Sequence, residues 1–61
     1  MIEPKLRHDF LNNCLRIEVL NRLLSETIEK NLNPQKEHME DLYSFLNDHV
    51  VYLDRINERI K

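Results

Sequence analysis

Just after Pro4 the chain reads Leu6-Arg7-His8-Asp9-Phe10-Leu11-Asn12-Asn13-Cys14-Leu15-Arg16-Ile17, a histidine followed at once by an acid and, one helical turn later, by an amide. On a helix His8 and Asn12, four residues apart, share a face. Neutral imidazole is a nucleophile whose pKa lies near physiological pH, so an accessible histidine on a rigid helix can take up and release a phosphoryl group. Asp9 is placed to orient the ring or accept its proton, and the Asn12 amide to hydrogen-bond a phosphoryl oxygen or a water. The plainer alternative is an exposed histidine on a solvated helix, with Asp9 and Asn12 as ordinary residues of its early turns.

The remaining candidates carry less chemistry. His38 reads as a surface residue in the first turn of a second helix. His49 reads as a core histidine hydrogen-bonded to a polar neighbour such as Asn13 or Asn21, a layer that fixes register at some cost in stability. Cys14 has no second cysteine to pair with and reads as a small buried hydrophobe. No HExxH or CxxC spacing occurs, so no metal site is expected. The chain has no glycine, hence no phosphate-cradling loop of the GxGxxG or P-loop kind, and no cofactor is expected. Any phosphoryl donor must act in trans.

Two helices position these residues. Pro4 and Pro34 each suit a first helical turn, with Glu3 and Asn33 as N-caps and Glu37 near the positive end of the second dipole. Helix 1 is expected over about 4–31, a turn over about 31–34 and helix 2 over about 34–60, all in one domain, 1–61. So short a connection makes the helices antiparallel neighbours. At about 100° per residue, Leu6, Phe10, Cys14, Ile17, Leu20, Leu24 and Ile28 gather on one side of helix 1. In helix 2, Met39, Leu42, Leu46, His49, Leu53, Ile56 and Ile60 read as a heptad seam whose one polar member is His49. Helix 1 also carries Leu11, Leu15, Val19 and Leu23, a second apolar stripe roughly opposite the first, which must pack against something else: bundle core or a docking partner.

The expected fold is therefore all-α, an antiparallel hairpin that dimerises into a four-helix bundle. Sixty-one residues bury too little surface for comfortable stability alone, and oligomerisation is the usual remedy. A net charge of −2 with interspersed signs gives no basic field for a nucleic-acid backbone, so nucleic acid is not an expected partner. Neither a signal core nor a spanning segment is evident, which points away from a membrane and to a reduced, cytoplasmic protein.

The segment from His8 to Ile17 resembles the phosphoacceptor box of the dimerisation and histidine-phosphotransfer domain of bacterial sensor histidine kinases, and of the related phosphotransferases of sporulation-type phosphorelays. His8, Asp9, Phe10, Asn12 and Ile17 occupy matching places. Asn13 stands where that family usually has proline and Cys14 where leucine is common; the missing proline removes a kink, not the nucleophile. The resemblance implies a dimeric helical hairpin of a two-component system, with His8 as the phosphorylated residue, Asp9 as the assisting base and Asn12 in phosphate handling. Its implied partners are a histidine kinase lobe or a response-regulator receiver domain, the latter docking on apolar residues beside the histidine, here Leu11, Leu15 and Val19. A chemistry-free hairpin that binds and regulates a kinase or another helical partner is the rival reading.

Overall fold

A computed structural model describes residues 2–60. They form two α-helices, α1 (Pro4–Glu29) and α2 (Lys36–Ile60), packed as an antiparallel hairpin measuring 45 × 16 × 14 Å. The all-α hairpin expected from the sequence is the observed architecture.

Helix α1 starts where Pro4 fixes the first φ angle and Glu3, extended at φ −62° and ψ 142°, stands before it. The Glu3 side chain makes no capping hydrogen bond. Its backbone carbonyl accepts from the Arg7 N–H at 2.9 Å, and its carboxylate pairs instead with the Arg59 guanidinium, tying the start of α1 to the end of α2. The helix stops two residues short of the expected limit because Asn31 takes the left-handed conformation, φ 57°. Asn31 N–H then donates to the Ile28 carbonyl and Leu32 N–H to the Thr27 carbonyl, both at 3.0 Å, the pair of bonds that closes a Schellman motif. In a chain without glycine, asparagine is the residue that reaches this region at least cost.

Helix α2 begins at Lys36, two residues beyond the expected start, so neither Asn33 nor Pro34 belongs to its first turn. The Gln35 carbonyl receives the first N–H groups instead, from His38 at 3.2 Å and Met39 at 3.3 Å. Glu37 in the first turn and Arg59 in the last complement the helix dipole.

The interface between the helices is narrow. Only Leu6 and Asn13 are buried among the described residues. Phe10, Cys14, Ile17, Leu20 and Leu24 of α1 and Leu42, Phe45, His49, Tyr52 and Ile56 of α2 are half-buried around them, as is His38, which is thus not a plain surface residue. Ile28, expected in the core stripe, is exposed, because it lies near the end of α1 where the chain turns away.

The single seam expected on α2 resolves into two. His38, Leu42, Phe45, His49, Tyr52 and Ile56, spaced by four and three, form the inner seam against α1. Met39, Tyr43, Leu46, Val50, Leu53, Asn57 and Ile60, spaced in the same way one residue later, form an outer seam that α1 does not cover. The series Met39, Leu42, Leu46, His49, Leu53, Ile56, Ile60 zigzags between the two.

Candidate functional site

The site is built on the N-terminal half of α1. His8 lies in the second turn with its side chain 79 % exposed, and its Nδ1 is 3.4 Å from Oδ1 of Asp9. A carboxylate only accepts, so Nδ1 carries the hydrogen in this contact and the imidazole lone pair sits on Nε2. The contact is long for a hydrogen bond and between exposed groups, so it orients the ring more than it stabilises the fold.

Asn12 is exposed one turn beyond His8. It shares with Asp9, Asn13, Arg16, Asp48 and Tyr52 a shallow cleft of about 110 Å³ floored by Phe45. His8 does not line that cleft; it borders an open hollow with Ile2, Pro4, Arg7 and Leu11. The three residues singled out from the sequence thus form one patch with two sides, Asp9 and Asn12 towards the groove between the helices and His8 towards the start of α1.

Beneath the patch is a polar layer that anchors α1. The Asn13 amide nitrogen donates to the Phe45 carbonyl oxygen at 2.9 Å. That carbonyl can only accept, so the amide oxygen faces the other way, 2.9 Å from His49 Nδ1. His49 therefore holds its hydrogen on Nδ1 and donates it to Asn13. The His49 ring stacks on Phe10 with centroids 5.3 Å apart and planes at 25°. No buried side-chain polar atom is left without a partner among the described residues. The expected Asn13–His49 contact is present, and the residue standing in the proline position of the resembled family holds the two helices together about a turn and a half beyond His8.

Arg16, not singled out from the sequence, closes the lower end of the cleft with its guanidinium carbon 5.5 Å from the Phe45 ring centre. The signal for it was the polar row Asp9, Asn12 or Asn13, Arg16 at helical spacing. Asp48 and Tyr52 had no local signal, because they reach the cleft from the other helix.

Of the expected docking residues, Leu11, Leu15 and Val19 are half or more exposed, and Leu23 is exposed at the end of their row. Leu15 and Val19 border an apolar hollow of about 250 Å³ with Leu20 and Phe45, rimmed by Arg16 and Asp41. Leu11 borders the hollow beside His8. Within the hairpin the row is not core.

Among the described residues there is no group of three or more His, Cys, Asp or Glu side chains arranged to hold a metal ion, and no helix is long and apolar enough to cross a membrane. No family model matches this chain, and no curated protein and no solved structure is found similar to it.

Proposed function

We propose that this chain is a histidine-phosphotransfer module of a two-component or phosphorelay system, working as a homodimer in the cytoplasm and carrying a phosphoryl group on His8. The observation that carries the reading is the state of His8: exposed on a rigid helix, its Nδ1 held by Asp9, its nucleophilic lone pair on Nε2. The row Leu11, Leu15, Val19, exposed from the next turn onwards, supports it as a landing surface for the donor and acceptor.

In the reaction the Nε2 lone pair attacks the phosphorus of an aspartyl phosphate on a receiver domain, or of a nucleotide γ-phosphate held by a kinase lobe. The bond from phosphorus to the leaving oxygen breaks, and the receiver carboxylate or the nucleoside diphosphate departs with the electron pair. The ring gains positive charge as the new N–P bond forms, and the Asp9 carboxylate beside Nδ1 offsets it or takes the Nδ1 proton. Asn12, one turn along, donates its amide to a phosphoryl oxygen in transit. Mg²⁺ comes with the partner, which holds the phosphoryl group in line with Nε2. The reverse steps pass the group on, so the chain is a carrier and not a complete kinase.

The test is phosphoryl transfer to the purified chain from an active kinase lobe or a phosphorylated receiver. An acid-labile, base-stable label that disappears in His8→Gln supports the reading; a His8→Gln chain that still labels removes it. The exposed row on α1 also favours a second reading, since it needs no chemistry to act: a hairpin that binds a kinase or other helical partner and regulates it sterically. A folded chain that binds a kinase through Leu15 and Val19 and takes no label from any donor decides for that reading.

A further inference from the structure

We infer that a second copy of this chain covers the outer seam of α2, so that the homodimer is built on Met39, Tyr43, Leu46, Val50, Leu53 and Ile60 while the apolar row of α1 stays outside it. The inference deepens the homodimer part of the reading above, rests on that part alone and is independent of any chemistry at His8.

The two uncovered apolar surfaces differ in period, and period decides what each can fit. The outer seam alternates steps of four and three, an average of 3.5 residues per turn, so it stays nearly straight along α2 and can follow another long helix with a slight supercoil. The α1 row repeats every fourth residue, and each step carries it about 40° around the helix. From Leu11 to Leu23 it swings through about a third of a turn, a path that a nearly parallel neighbouring helix does not follow along its length. The straight seam suits a partner that is itself a long helical hairpin, and this chain supplies one.

The surface area points to the same occupant. The chain exposes 5229 Å², whereas a compact monomer of its 7.5 kDa mass exposes about 4,200 Å². The excess is about 1,000 Å² for each chain, and a standard-sized interface takes about 800 Å² from each partner. Among the described residues only one apolar side chain, Leu6, is buried, so the missing core must come from association. Asn57 is the one polar position on the seam, the placement by which a heptad interface fixes its register.

The test combines mass with thiol protection. Sedimentation equilibrium of the full chain is expected to give twice the chain mass. In a Cys14→Ser background, the thiol introduced by Val50→Cys is expected to react with iodoacetamide progressively more slowly as protein concentration rises, whereas that introduced by Val19→Cys reacts at one rate throughout. Neither variant puts a charge into an apolar surface, so the readout does not depend on breaking the fold. A folded chain that stays at single-chain mass up to its solubility limit overturns the inference, and so does a dimer in which the Val19→Cys thiol is the protected one. Either result leaves the labelling of His8 as a separate question.

Discussion

At the scale of single residues the proposed chemistry depends on which ring nitrogen is free. Asp9 fixes the answer by taking the Nδ1 side of His8, and its effect is separable from that of the nucleophile. His8→Gln is expected to abolish the phosphoryl label with the circular dichroism spectrum unchanged, because an exposed side chain in the second turn adds little to the fold. Asp9→Asn is expected to keep the label on His8 but slow its formation by about 100-fold, the lower end of a general-base contribution, since the contact of Asp9 with the ring is exposed. Rapid-quench labelling from a phosphorylated receiver measures both, and an Asp9→Asn rate equal to the wild type removes Asp9 from the mechanism. His8, Asp9 and Asn12 were legible in the sequence because they lie within one turn and a half of a single helix. The cleft beside them was not, because Asp48 and Tyr52 approach from α2, and the sequence spacing of the two helices does not state their relative rotation.

At the scale of the helices, one amide adds direction to the apolar pairing of α1 with α2. Asn13 spends both ends of its side chain on α2, donating to the Phe45 carbonyl and accepting from His49. Asn13→Ala strands the His49 Nδ1–H in a half-buried site, and is expected to cost about 1–3 kcal/mol, read as a lower urea midpoint at unchanged slope. The turn makes a smaller prediction. Asn31 sits at positive φ, so Asn31→Ala is expected to cost about 1 kcal/mol while Asn31→Gly is tolerated, as thermal melts of the two variants would show. Pro4 marked the start of α1 where it is observed, whereas the two boundaries at the turn moved, since Asn31 ended α1 through backbone conformation and Gln35, not Asn33, received the first turn of α2. The heptad on α2 was legible as a period. Its division into inner and outer seams was not, because the two run one residue apart and a zigzag between them satisfies the same count.

At the scale of the whole molecule, a hairpin with one buried apolar side chain among the described residues depends on what surrounds it, and the outer seam of α2 and the row on α1 are suited to different neighbours. If the outer seam of α2 holds the second copy and the row on α1 receives the phosphoryl partner, damage to one leaves the other working. Introducing Leu15→Glu and Val19→Glu together places two charges in a surface that is already in water, so folding and dimer mass are expected to stay as in the wild type. The same charges must lose their water when an apolar partner lands on them. Transfer from a phosphorylated receiver is therefore expected to fall at least tenfold through weaker association, with the rate at saturating receiver nearly unchanged because His8 and Asp9 are intact. A double variant that loses its dimer places the row inside the bundle. One that keeps its dimer and transfers at the wild-type rate at every receiver concentration shows that the row takes no part in recognition, and leaves the patch around His8 as the whole of the docking surface.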